Sequence, residues 1–289
     1  MKQHVVGIIG GSGLYTLQGL TNTEEYSLQT PYGPPSGPIV TGYVQSTPVA
    51  FLPRHGINHT ISPSEIPAKA NIYALKSLGV TRIVSISAVG SMQLDIKPLD
   101  LVVPDQILDR TKLRSSTFFE KGIVAHVAFN QPFCPALSGT LADTIEYLDL
   151  KVHRGGTYLV IEGPAFSTKA ESLLYRSWGI SIIGMTALPE AKLAREAEIC
   201  YATLACATDY DCWLDNEDSV TADTVLANVK KNVTNSKHIL ERLLSQIPKI
   251  AQDCFCQNAL HNSIVTPLEK VSSDTLLRLG PLIDRYLYI

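Results

Sequence analysis

Apolar runs of strand length alternate with segments whose apolar residues recur at helical spacing, from one end of the chain to the other. Strands joined by crossover helices pair in parallel, so the alternation confines the chain to an α/β fold. No Pro/Gly/Ser-rich linker or low-complexity block interrupts it, and a single domain over residues 1–289 accounts for the pattern, with less patterning after about residue 250. Val5–Ile9 reads as the first strand, and Ile39–Val44 and Val49–Leu52 as a hairpin about Gln45-Ser46-Thr47-Pro48. Arg82–Ser87, Thr157–Ile161, Ile180–Met185 and Tyr201–Ala207 read as further strands. Helices are expected over Ser64–Leu78, Thr168–Trp178, Pro189–Glu198 and Thr221–Gln246, and over Thr275–Tyr288 with a break near Pro281.

In an open α/β sheet ligands gather outside the carboxyl ends of the strands, so the residues after each strand decide what the chain can bind. The run Cys200–Cys206 leads into Asp209-Tyr210-Asp211-Cys212-Trp213, which puts a carboxylate pair where an acid can hand a proton to a leaving group. A solvated loop or a helix cap explains Asp-x-Asp as well. Residues two apart in extended chain face opposite ways, so both acids meet one ligand only if the chain turns there. The first strand ends in Gly10-Gly11-Ser12-Gly13, whose small residues let backbone N–H groups and the Ser12 hydroxyl close on an anion. Thr16 stands where a dinucleotide fingerprint needs its third glycine, and no Gly-Lys-Ser/Thr follows for a Walker A loop. A tight turn without a ligand fits that segment equally well.

Leu52-Pro53-Arg54-His55-Gly56 sets a guanidinium, well shaped for phosphate oxygens, beside an imidazole just past a strand end. Ser87-Ala88-Val89-Gly90-Ser91 adds hydroxyls and approachable N–H groups at another, and together these strand ends imply one phosphate pocket. Phe166, in Glu162-Gly163-Pro164-Ala165-Phe166-Ser167-Thr168, offers a flat face for a heterocycle or else fills the core. Gly184-Met185-Thr186 places an apolar side chain beside a hydroxyl, as a sugar above a phosphate requires; a core-filling methionine is the plainer reading.

Composition narrows the partners. A formal net charge of −3 and a pI near 6.2 leave no basic footprint for nucleic acid or an anionic membrane surface, which favours a small-molecule ligand. The apolar stretch Val5–Ile9 is far shorter than a signal segment or a membrane span, so the chain is expected in the cytoplasm, with the nucleus as the alternative. Cys134, Cys200, Cys206, Cys212, Cys254 and Cys256 show no Cys-x-x-Cys spacing, the pattern of reduced buried thiols rather than a disulfide framework or a zinc site. Cys254-Phe255-Cys256 is too close for ordinary chelation and reads as packing. The sequons at Asn58 and Asn232 read as chance.

Taken in order, Gly7-Ile8-Ile9-Gly10-Gly11-Ser12-Gly13-Leu14, Arg54-His55-Gly56, Asn71–Lys76, Glu162-Gly163-Pro164, Ala170-Glu171-Ser172, Met185-Thr186 and Ala207–Trp213 give a resemblance over residues 5–245. The chain resembles the trimeric purine nucleoside phosphorylase superfamily and, within it, the 5′-methylthioadenosine phosphorylases. The resemblance implies a nucleoside phosphorylase-like fold with a mixed central β-sheet flanked by helices. It also implies reversible phosphorolysis, in which inorganic phosphate as co-substrate displaces adenine from C1′, with no cofactor and no metal.

On that resemblance Ser12, Arg54, His55, Ser87, Ala88 and Thr186 match phosphate-binding positions, and Met185 and Phe166 match positions that contact the sugar. Phe166, Ser167, Asp209 and Asp211 match base-binding positions, with Asp209 as the catalytic acid toward purine N7 and Asp211 as the acceptor for the 6-amino group. His126 matches a histidine donated to the neighbouring site of a homotrimer, and Ala222, Val225 and Leu226 match the pocket for the 5′ substituent. Serine stands at 12 and 87 where many relatives have threonine, Ala165 where arginine is common, Gly184 where asparagine is common, and Ala222 where a bulkier residue is common. The small Ala222 implies room for adenosine beside methylthioadenosine. Two other readings fit these residues: a phosphorylase for 6-oxopurine nucleosides or methylthioinosine, and a nucleoside-binding protein without turnover.

Overall fold

The computed structural model describes residues 5–11, 17, 19–214, 222–247, 250 and 254–287. Strand β1 (Val5–Gly10) is followed by the meander β2 (Leu20–Tyr26), β3 (Ile39–Val44) and β4 (Thr47–Pro53), and α1 (Ala68–Ser77) returns the chain to β5 (Val80–Ser91). Next come β6 (Leu101–Val103), β7 (Gln106–Arg110), α2 (Pro135–Tyr147), β8 (Val152–Arg154) and β9 (Thr157–Ile161). The chain continues through α3 (Lys169–Ser177), β10 (Ile182–Gly184), α4 (Glu190–Glu196), β11 (Cys200–Asp209), α5 (Ala222–Gln246) and α6 (Ser273–Leu279).

The strands form one mixed sheet whose hub is β5. Strand β1 lies parallel between β4 and β5, and β11 lies parallel to β5 on its other side. Beyond Val89, β5 outlasts β1 and pairs antiparallel with β10, which itself runs parallel to β9. Central parallel strands are buried on both faces, and β1 and β11 are accordingly almost continuous apolar or small-residue runs. Ile72, Leu75, Leu193 and Ala194 from α1 and α4 belong to one packed cluster, and Leu137, Leu141, Ile239, Leu240 and Leu243 from α2 and α5 to the other.

Most elements lie where their patterns place them, with physical reasons for the differences. Helix α1 starts at Ala68 rather than Ser64, because Ile66 precedes Pro67 and is held extended (ψ 121°), while Ser62 and Glu65 form a capping box around a single short turn. Strand β5 runs on to Ser91, and β10 shortens to Ile182–Gly184. Helix α6 ends at Leu279 because Gly280 takes φ 42°, one residue before the expected break. Strands β2, β6, β7 and β8 and helix α2 come in addition to the expected elements: β2 is polar and exposed, and β6 and β8 are three residues each. Among the described residues no helix is long and apolar enough to cross a membrane. Asn232 is buried and donates to the carbonyl of Ala207, which explains the asparagine without glycosylation.

Candidate active site

The anion end begins where β1, β4 and β5 finish along one edge. The N–H of Arg54 donates to Gly10 (3.0 Å), so the β4 end is tied to the β1 end. The Arg54 side chain is buried and forks onto Glu190 through Nε and Nη2 (2.9 and 3.0 Å), with further bonds to Ser85 Oγ (2.6 Å) and the Ile86 carbonyl (2.8 Å). Tyr201 donates to the same Glu190 (2.8 Å). Burial works against the Arg54 charge, but Glu190 more than offsets it, so the cation is fixed and permanent. Glu190, the first residue of α4, carries no signal in the sequence; a glutamate opening a helix after Leu-Pro looks like an ordinary N-terminal acid.

His55 stacks on His59 with ring centroids 4.2 Å apart and directs Nδ1 at the Ile61 carbonyl (2.9 Å). A carbonyl only accepts, so Nδ1 carries the hydrogen and Nε2 keeps its lone pair when the ring is neutral. Burial pushes the imidazole down to about 4, with Arg54 and His59 adding to the effect, so the ring is neutral at neutral pH. Ser12 lies outside the described residues.

The antiparallel register of β5 and β10 brings Thr186 opposite Ser87, and their hydroxyls lie 3.0 Å apart. Tyr158 on β9 reaches the same place. Its hydroxyl is buried beside Thr186 and Ser87 and has no well-aligned hydrogen-bond partner among the described residues. A Cβ on Gly184 would come within 2.4 Å of that oxygen, so glycine at 184 is what admits the tyrosine. Ala88, next along β5, is exposed on the same edge.

The acidic end is built by a bulge. Ala207 pairs with Val89 but Asp209 with Gly90, so Thr208 is the extra residue and Asp209 is re-aimed at the sheet edge. Thr208 donates to Val89 (3.2 Å) and to Asp209 Oδ2 (2.7 Å), while Asn228 of α5 donates to the Thr208 carbonyl (2.7 Å). The chain then turns at Asp211, whose φ is 52° and whose N–H donates to Asp209 Oδ1 (2.8 Å). That turn meets the condition set by the two-residue spacing. Ser172 of α3 donates to one Asp211 oxygen. Trp213 pins the loop by donating to the Ser91 carbonyl (2.8 Å), with the Arg176 guanidinium 3.9 Å over its ring. Burial raises the Asp209 pKa above its ordinary value, and the neighbouring Asp211 charge adds to the rise.

Between the two ends, Phe166 is 78% exposed after β9, and the buried Ser167 hydroxyl has no partner among the described residues. Met185 presses its sulfur against Gly163, where a Cβ would sit 2.5 Å away and φ is 68°. Arg114 staples both loops, donating to the Met185 and Leu188 carbonyls (2.6 and 2.7 Å) and to the Glu162 side chain (3.2 Å). Nothing in its sequence context, an isolated arginine in a polar stretch, marks that role.

Arg54, His55, Ser87, Thr186, Asp209 and Asp211 therefore share one sheet edge. Ser87 and Gly90, which faces Asp209, are three residues apart on β5, roughly 10 Å at ~3.3 Å per residue. That span suits a phosphate beneath a sugar at one end and the far edge of a purine at the other. His126 is exposed, with its N–H donating to Ser263 (2.8 Å), and no described contact joins it to these residues. Ala222, Val225 and Leu226 fall on α5, but their side chains lie outside the description. A groove of about 440 Å³ between α2 and α5, lined by Thr140, Tyr147 and Arg242 among others, includes none of the site residues.

The sequence profile of the Phosphorylase superfamily matches residues 5–245. The chain is 54% identical over 285 residues to the S-methyl-5′-thioadenosine phosphorylase of Thermosynechococcus vestitus, covering 98% of this chain and 99% of that protein. It is also similar to the crystal structure of a methylthioadenosine phosphorylase from an antarctic soil metagenomic library, with a TM-score of 0.93 and 49% identity over 98% of this chain and 99% of that one. Methylthioadenosine phosphorylase from Schistosoma mansoni in complex with adenine superposes with a TM-score of 0.80 at 36% identity, over 86% of this chain and 93% of that one.

Proposed function

The chain belongs to the phosphorylase superfamily, among the S-methyl-5′-thioadenosine phosphorylases, and from that premise we propose how its residues perform the reaction. It is a pentosyltransferase that cleaves 5′-methylthioadenosine with phosphate to adenine and 5-methylthioribose 1-phosphate, with adenosine as a second substrate. The observation that supports this reading is the placing of Arg54, bonded to Ser85 and the Ile86 carbonyl, the Ser87–Thr186 hydroxyl pair and the Asp209–Asp211 turn on one sheet edge, a nucleoside's length apart. We take residues 1–289 as one nucleoside phosphorylase domain acting in the cytoplasm as a homotrimer, with His126 donated to the neighbouring site.

Breaking the N-glycosidic bond builds positive charge on the sugar and negative charge on the departing purine. Phosphate beneath C1′ answers the first, held by Ser87, Thr186, the Ala88 N–H, Ser12 and the fixed field of Arg54. The neutral His55 ring offers Nε2 as an acceptor for the proton that phosphate retains. Met185 lies under the sugar, Phe166 and Ser167 against sugar and base. Asp209, kept protonated longer by burial, donates to purine N7. Asp211 accepts from the 6-amino group with the oxygen that Ser172 leaves free; a 6-oxo purine offers it no donor. The 5′ group rests against Ala222, Val225, Leu226 and the neighbour's His126.

The deciding experiment compares kcat/KM for methylthioadenosine, adenosine and inosine at saturating phosphate. Adenine nucleosides are expected to exceed inosine by up to about 10⁴-fold, since a carboxylate left facing a carbonyl is an unpaired buried group. Faster release of hypoxanthine than adenine, or no adenine at all, would overturn the assignment. Tyr158→Phe removes the hydroxyl beside Ser87 and Thr186 without changing the ring. It is expected to raise KM for phosphate several-fold, about what loss of a ~1 kcal/mol hydrogen bond gives, with KM for the nucleoside unchanged. An unaltered phosphate KM would remove Tyr158 from the cradle.

A further inference from the structure

Four of the six cysteines converge far from the sheet edge just described. The sulfurs of Cys134, Cys200, Cys254 and Cys256 all lie within 4.8 Å of one another, and the Cys134 and Cys254 sulfurs are 3.5 Å apart. Cys134, Cys200 and Cys256 are buried, Cys254 is half-buried, and all are free thiols. Sulfurs at the corners of a tetrahedron about zinc, ~2.3 Å from the metal, stand about 3.8 Å from each other, whereas a disulfide needs ~2.0 Å. From this arrangement we propose that Cys134, Cys200, Cys254 and Cys256 form a structural tetrathiolate site for zinc or a similar thiophilic divalent cation.

Spacing along the chain marks Cys254-Phe255-Cys256 as packing. Spacing misleads here because the ligands come from three segments: the N-cap of α2, the first residue of β11, and the start of the C-terminal segment. Coordination moves no electrons. The cation binds four sulfurs, each thiol releases its proton to solvent, and the site carries a net charge of minus two. Two features favour that charge. Cys134 occupies the N-cap of a 13-residue helix, where unpaired N–H groups and the helix dipole favour a thiolate. Buried Arg195 holds its guanidinium 4.8 Å over the ring of Phe255, between the two last ligands, anchored on the Ala128 and Gln131 carbonyls (3.1 and 2.6 Å).

The cation would fasten the C-terminal segment to the base of the strand whose far end carries Asp209. That segment also gives Val265 N–H to Val124 (2.9 Å) and receives the His126 N–H at Ser263, so its anchoring fixes the loop that bears His126. Leu260 N–H on Glu198 (3.0 Å) is the only other described tie near the ligands that crosses from this segment to the turn before β11 by a main-chain donor. A closed four-sulfur site leaves no position for substrate, so the role is structural rather than catalytic.

The test uses the full chain purified under reducing conditions, with metal counted by plasma mass spectrometry before and after reconstitution with zinc. Near one zinc per chain is expected, with four thiols unreactive toward a chromogenic disulfide reagent until a chelator is added. Exchange for cobalt(II) is expected to give the intense visible bands of a tetrahedral thiolate site. Cys256→Ser is expected to lose the metal and lower Tm, whereas Cys206→Ser, outside the cluster, keeps it. Substoichiometric metal after reconstitution, with either freely reacting thiols or disulfides found by peptide mapping, overturns the proposal. The metal count and cobalt spectrum of the unaltered chain decide the matter even if Cys256→Ser does not fold.

Discussion

Arg54→Ala is expected to lower kcat/KM for methylthioadenosine by about 10²–10³-fold or more, the scale for removing one preorganised electrostatic group, and to destabilise the fold by about 3–5 kcal/mol. Both effects follow from one geometry. The guanidinium forks onto Glu190 inside the protein, so alanine leaves Glu190 buried without its counter-ion and leaves Ser85 and the Ile86 carbonyl without their donor. The two effects separate across two further variants. Glu190→Gln keeps a polar partner and the Arg54 position, and so should cost less activity than stability. Replacing both residues by apolar ones of similar volume, Arg54→Met with Glu190→Leu, should recover much of the stability because no charge is left buried alone. Activity should not return, since the phosphate site still lacks its cation. Denaturant unfolding and kinetics at varied phosphate read the two axes. Restoration of turnover in the double variant would show that Arg54 is only a structural ion.

Arg54 also shows what was legible in the chain. Its type and its place after a strand pointed to an anion site, and the parallel strands β1, β4 and β5 do bring their ends together. What the sequence could not reveal was Glu190, a partner 136 residues away whose local context marks only a helix start. Thr186 and Ser87 were found one by one from strand ends, but their meeting depends on β5 running past β1 to pair with β10, a register that no local pattern encodes. Tyr158 and Gly184 were legible only as a pair: the glycine is unexplained until the tyrosine hydroxyl occupies the space of its missing Cβ. Arg114 and the four clustered cysteines were hidden for the same reason, since each role is defined by loops and segments joined only in space. Strands and long helices have periodicity; a staple between two loops has none.

Asp209→Asn tests the other end of the site and is expected to lower kcat by about 10²–10⁴-fold, the range for losing a positioned acid. Its direction with pH follows from the environment. Burial raises the Asp209 pKa, helped by the charge of Asp211, so the acid form persists to higher pH than an ordinary aspartate with a value of 3.8 would allow. Turnover should fall as pH rises through that shifted value, and the variant should lack this limb. The stability contribution of the acid form is lost over the same rise in pH. A carboxyl whose folded pKa lies above its unfolded one contributes its stabilisation fully below the unfolded value and loses it as pH rises through the folded value. At neutral pH the Asp209 charge is therefore a net cost to the fold, and asparagine, which carries no charge, should raise Tm there. The gain should vanish in acid, below the unfolded carboxyl value. A variant with unchanged kcat would make Asp209 a binding group and shift the proton to solvent. Lower kcat together with unchanged or reduced Tm at neutral pH would show that the bulge at Thr208 needs the carboxylate to accept from Thr208 and from the Asp211 N–H, so that the acid shapes the turn on which its own partner stands.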